Sequence, residues 1–155
     1  MAVLLHEDFA TALPRTGALA GLDLGEKTIG IAVSDALRTV GSPLETLRRT
    51  KFTADLEKLF AIMDHRAIAG LVIGLPLNMD GTEGPRCQSV RAFARNLLQR
   101  RELPLLFWDE RLSTAAVTRM MIDEHDLTRK RQGETVDKLA AAWILQGALD
   151  RLRRT

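Results

Sequence analysis

Three acidic positions, far apart in the chain, combine residue type and placement in a way that can support chemistry. Asp23 interrupts the apolar run "ALAGLDLG". Strand alternation sends Leu22 and Leu24 to one face and Gly21, Asp23 and Gly25 to the other, so the carboxylate stands between two residues without side chains. A charge in such a segment must be hydrogen-bonded, neutralised, paired with a cation or bound to metal. Asp109 and Glu110 close a second apolar run in "LPLLFWDERLST", and Asp137 in "ETVDKLAAAW" falls in the first turn expected of the last helix. Strand ends and helix starts of an open α/β sheet gather on one edge, where such folds bind ligands. Three acids brought there would make a hard, oxygen-rich set suited to Mg²⁺ or Mn²⁺. Two such ions about 4 Å apart activate a water and stabilise the leaving oxygen of a phosphodiester. Each acid alone has an ordinary alternative. Asp137 complements a helix dipole, Asp109 and Glu110 cap a helix or pair with Arg111, and Asp23 bonds hairpin amides.

The elements that must position these acids follow from pattern. "ALAGLDL" and "TIGIAVSD" are two β-rich runs joined by "GEK", a tight hairpin, and "VGSPLETLRR" is a third strand whose Pro43 suits an edge. "TADLEKLFAIMDHR" predicts a helix capped by Thr53, with Leu56, Leu59, Phe60 and Met63 on one side. "AIAGLVIGLP" is the continuous apolar strand of a sheet covered on both faces. After the turn-rich loop "LPLNMDGTEGP", a helix is expected from about Arg86 to Arg101 through Val90, Phe93, Ala94 and Leu97. "LPLLFWDE" is the next strand. A helix capped by Ser113 or Thr114 and running through Val117, Met120 and Met121 should follow it. A basic loop, "LTRKRQGE", then leads to a last helix from about Thr135 to Arg153, buried through Val136, Leu139, Ala140, Trp143, Ile144 and Leu149. A three-strand meander followed by βαβ units implies a mixed sheet with helices on both faces.

The 155 residues suit one domain at about 18–155, preceded by a loosely ordered N-terminal extension, residues 1–17. Composition is globular, with 46% hydrophobic and 27% charged residues, and no apolar run reaches the length of a membrane span. Cys87 is the single cysteine, which excludes an internal disulfide and suits a reducing cytoplasm; it is expected to be structural. A net charge of +2 is too small to imply nucleic acid. The basic clusters at 48–51, 86–95, 129–131 and 151–154 would matter if they faced one side. There is no phosphate-binding G-x-x-x-x-G-K-[ST] loop, no G-x-S-x-G elbow and no H-E-x-x-H. His6, His65 and His125 share no ligand spacing, and the acidic run 123–126 is expected to be solvated.

The stretches "DLGEKTIGIAVSD", "VIGLPLNMDGTEGP", "DERLST" and "VDKLAAAWIL" occur in an order and spacing that resembles the YqgF/RuvX family. These are small bacterial proteins described as Holliday-junction resolvases and as pre-16S ribosomal RNA nucleases, and the likeness spans about Leu19 to Leu152. The resemblance implies an RNase H-like fold with a five-stranded mixed sheet. It also implies acidic ligands for two Mg²⁺ or Mn²⁺ ions at Asp23, at Glu110 with Asp109 as its substitute, and at Asp137. It places Asn78 and Arg86 as substrate contacts, with turn formation as the plain alternative for the loop holding Asn78. Lys27 either meets a phosphate or solvates the hairpin tip. Arg111, Arg129, Lys130 and Arg131 would hold a nucleic-acid backbone. The expectation is a cytoplasmic, metal-dependent endonuclease, monomeric or homodimeric, acting on precursor 16S rRNA or branched DNA. A nucleic-acid-binding ribosome-assembly factor without catalysis is the main alternative. An actin-like-kinase-related phosphotransferase is a weaker one, because those proteins need two such domains.

Overall fold

The computed structural model describes residues 3–112 and 129–154, with the backbone alone for residues 3, 6, 112 and 129–135. In chain order the elements are β1 (Val3–Leu4), α1 (His6–Ala12), β2 (Ala18–Leu24), β3 (Thr28–Ser34), β4 (Gly41–Arg48) and α2 (Phe52–His65). Then come β5 (Ile68–Leu75), α3 (Pro85–Arg100), β6 (Leu105–Asp109), a 3₁₀ turn at Glu110–Leu112 and α4 (Arg129–Arg153). The helix expected after Ser113, with the acidic run 123–126, lies outside the described residues.

The five expected strands form one mixed sheet, and β1 adds a short sixth, in the order β1-β6-β5-β2-β3-β4. β2–β3 and β3–β4 are antiparallel, while β5 pairs parallel with both β2 and β6. β5 is central and therefore covered twice. Leu71 and Ile73 pack with α2 and α3 on one face, and Val72 packs with α1 and α4 on the other, which is why its sequence carries no polar alternation. Pro43 does sit on the edge strand, next to the register shift between Ile31 and Ala32 of the partner, where a missing amide is tolerated.

Four local expectations are corrected. Residues 1–17 are not loose throughout: Val3 and Leu4 pair with Leu105 and Leu106, and Phe9 and Leu13 are buried against α4 and β6. The segment orders because its few apolar side chains complete a core formed about a hundred residues later. Thr53 does not cap α2; Lys51 is the N-cap, without a side-chain bond. Instead the buried Asp55 accepts hydrogen bonds from the amide and hydroxyl of Thr50, at 3.0 and 2.9 Å. The segment Arg129–Glu134, expected as a loop, is the start of α4, so Asp137 is two turns inside the helix and gains little from its dipole. Trp143 is 43% exposed, because the buried stripe of α4 runs through Ala141, Ile144, Leu145 and Ala148. α3 starts at Pro85, a residue preset for a first helical turn, and buries Val90, Phe93, Ala94 and Leu97 as patterned, with Cys87 beside them.

Candidate active site

Two glycines on the strands flanking Asp23 decide what gathers around it. Asp23 pairs in register with Gly30 of β3. A Cβ at Gly30 would overlap the backbone carbonyl of Asp137 and lie 3.0 Å from the amide nitrogen of Lys138, so α4 rests directly on the bare strand. On the other flank, β2 pairs with β5 as far as Leu22 with Ile73, and Gly74 follows. A Cβ at Gly74 would stand 2.5 Å from Cδ1 of Ile144 and 2.8 Å from Cγ of Glu110, whose side chains share that space. Gly21, one pair earlier on the face of Asp23, admits Ala141 and Leu145 of α4 in the same manner. The sheet thus holds Asp23 at the end of β2 between two gaps, one filled by the helix bearing Asp137 and the other by Glu110.

Asp23 feels both of the other carboxylates. The Asp23 carboxyl is pushed up to about 8, first by burial, then by the charge of Glu110 and the hydrogen bond shared with it, and then by the charge of Asp137; Arg86 opposes the rise. Burial and the neighbouring carboxylates thus disfavour the charged form of Asp23. Asp137 of α4 accepts a hydrogen bond from the Thr28 hydroxyl at the start of β3. Asp109 takes no part in this group. Its oxygens accept from the amide of Arg111 at 3.0 Å and from its guanidinium at 2.6 Å, which holds Asp109 below the usual carboxylate range. Of the adjacent pair, then, Glu110 turns to Asp23 and Asp109 to Arg111.

The set is not a ready cage: among the described residues, no three Asp, Glu, His or Cys side chains are arranged to hold a metal ion. The donors nonetheless suit one. They are hard oxygens, and they crowd negative charge at a half-buried position, which a cation would relieve.

The remaining expected contacts divide. Arg86, in the first turn of α3, is close enough for its charge to act on Asp23. Arg111 is tied to Asp109 and also donates to the Met79 carbonyl at 3.3 Å, pinning the loop after β5 near the acids. Asn78 lies in a tight turn through Gly81 at φ 88°, where its amide nitrogens donate to Thr82 and Asp80 accepts from the same residue. Lys27 is exposed at the hairpin tip, where its carbonyl accepts from the Arg49 amide. Arg129, Lys130 and Arg131 lie on the first turn of α4 rather than on a loop, and their side chains lie outside the described set. Sequence reasoning missed Thr28 and the glycines at 30 and 74; the only signal for them was register, which a single chain does not display.

This sheet order, an antiparallel meander continued by parallel βαβ units with helices on both faces, is that of the RNase H-like fold. The structure described as "T. thermophilus RuvC in complex with Holliday junction substrate" superposes with a TM-score of 0.54 at 12% identity, over 88% of this chain and 96% of that one, a likeness of fold alone. Residues 17–151 match the family described as "RuvX: Holliday junction resolvase", and the chain belongs to it. It is 66% identical over 154 residues to a protein of Caulobacter vibrioides strain NA1000 named "Putative pre-16S rRNA nuclease", covering 99% of both chains. A protein of Phenylobacterium zucineum with the same name is 64% identical, again over 99% of both.

Proposed function

We propose that this protein is a divalent-metal-dependent endonuclease that cuts structured nucleic acid, with the 5′ end of precursor 16S rRNA as its substrate. The observation that carries this reading is the gathering of Glu110 and of the helix bearing Asp137 around Asp23, over the bare Gly74 and Gly30. The names of the relatives supply the substrate class. Asp23, Glu110 and Asp137 would hold one or two Mg²⁺ or Mn²⁺ ions, which supply an activated water and a positive charge at the scissile phosphate. The chain's own residues do the rest. Thr28 orients Asp137 by donating to it, the bare Gly74 lets Glu110 fold back beside Asp23, and Arg86 offers a guanidinium to a backbone phosphate at the same edge. Arg111, held by Asp109, keeps the loop after β5 against that edge.

Among the described residues no helix is long and apolar enough to cross a membrane; a cytoplasmic site of action belongs to the proposal. The experiment is Mg²⁺-dependent cleavage of an RNA bearing the precursor 5′ end, run beside a four-way DNA junction. Wild type should cut the RNA and Asp23→Asn should not. Equal cutting by Asp23→Asn would remove the carboxylate from the mechanism, and preference for the junction would replace the substrate.

A further inference from the structure

We propose that a small basic pocket on the opposite face of the β2 end from Asp23 is a subsite for a nucleotide neighbouring the cleaved bond, with Arg49 and Ser89 as its phosphate contacts. The inference rests on the nuclease reading and adds a place for the substrate strand to go. The pocket, of about 220 Å³, lies between the β2–β3 turn, the end of β4 and the first two turns of α3. Leu24, Val90 and Phe93 form its apolar floor, and Arg49, Arg86 and Ser89 its polar wall, with Glu26 on the rim.

Arg49 is preset. Its guanidinium donates to the Gly25 carbonyl at 2.7 Å and lies 5.7 Å from the centre of the Phe93 ring. That leaves donors of the planar fork for a ligand. The side chains of Arg86 and Ser89 are exposed and form no hydrogen bond or ion pair with another described residue. Arg86 lines the pocket and lies near enough for its charge to act on Asp23, which sets the pocket beside the acids. A strand whose phosphate lay at the acids would thus be led by Arg86 around the end of β2, one nucleotide at a time. The volume is below the roughly 300–1,000 Å³ of whole small-molecule sites, which suits one sugar–phosphate with its base against Phe93 rather than a complete cofactor.

The test measures kcat/KM of the full-length chain on the precursor RNA, with each phosphate within a few nucleotides of the cut replaced singly by a neutral methylphosphonate. In wild type one linkage beside the cut should lose about tenfold, the scale of a hydrogen bond to a charged group. Arg49→Ala should lose about as much on native RNA and nothing further at that linkage. Ser89→Ala, on an exposed helix surface, repeats the comparison if Arg49→Ala melts early, and Arg49→Lys should recover part of the loss. If no linkage is sensitive, or if the loss at the sensitive linkage persists undiminished in both alanine variants, the subsite is wrong while the nuclease stands. If adenosine monophosphate inhibits wild type but not Arg49→Ala and no linkage couples, the pocket takes a free nucleotide and the strand assignment is overturned. Failure of wild type to cleave at all removes the nuclease reading and this subsite with it.

Discussion

At the scale of single residues, Asp23 has consequences that can be measured without substrate. Its carboxyl sits near 3.8 in an unfolded chain and about 8 in the fold. Between those values the folded state keeps a proton that the unfolded state has released, so stability is fully present below about pH 4 and is lost as pH rises through 8. A tenfold difference in proton affinity between the two states is worth about 1.4 kcal/mol, and burial, the first cause of the rise, is only partly relieved by an amide. Asp23→Asn should therefore raise stability at pH 8 by about 2 kcal/mol and flatten its decline with pH, as read by urea denaturation across pH 5–9. Mg²⁺ should raise the Tm of wild type more at pH 8 than at pH 5, and much less in Asp23→Asn, because the ion binds the deprotonated set. A Tm indifferent to Mg²⁺ at both pH values would argue that the acids hold no ion.

At the scale of elements, the decisive contact is helix on bare strand. α4 lies on Gly30 through its own backbone, which cannot step aside, whereas Gly74 faces the ends of the Ile144 and Glu110 side chains. Gly30→Ala should then cost more than Gly74→Ala, about 3 kcal/mol or above against about 1–2 kcal/mol, on the scale of overpacked cores. Both should depress cleavage, Gly74→Ala by moving Glu110 with the fold nearly intact. Circular dichroism melts beside cleavage rates separate the two effects, and equal melting losses would contradict the packing described. The N-terminal segment gives a second element-scale prediction. Phe9 is fully buried between α4 and the sheet, so Phe9→Ala should cost about 3–5 kcal/mol by urea denaturation. A loose extension would register no change.

At the scale of the whole molecule, the charge is small and its placement matters more. Arg49, Arg86 and Arg111 stand around one end of the sheet. RNA affinity should fall steeply with salt, and Arg86→Ala should lower the slope of log K against log salt by about 1, the signature of one lost phosphate contact. An unchanged slope would take Arg86 off the backbone path.

Much of this architecture was legible in the chain because periodicity and turn chemistry are local. The five strands, α2, α3 and the edge position of Pro43 follow from spacing alone, and the motifs carried the family. The sequence by itself also named Asp23, the Asp109–Glu110 pair and Asp137 as the acids to watch. Only the tertiary structure decided which acid of the pair turns inward, because Arg111 claims Asp109 while the space over Gly74 admits Glu110. It alone ordered the N-terminus, whose short apolar elements have no partner until β6 and α4 are in place. It alone gave Gly30 and Gly74 their meaning, since the gap a glycine leaves depends on what the sheet register and the last helix bring against it.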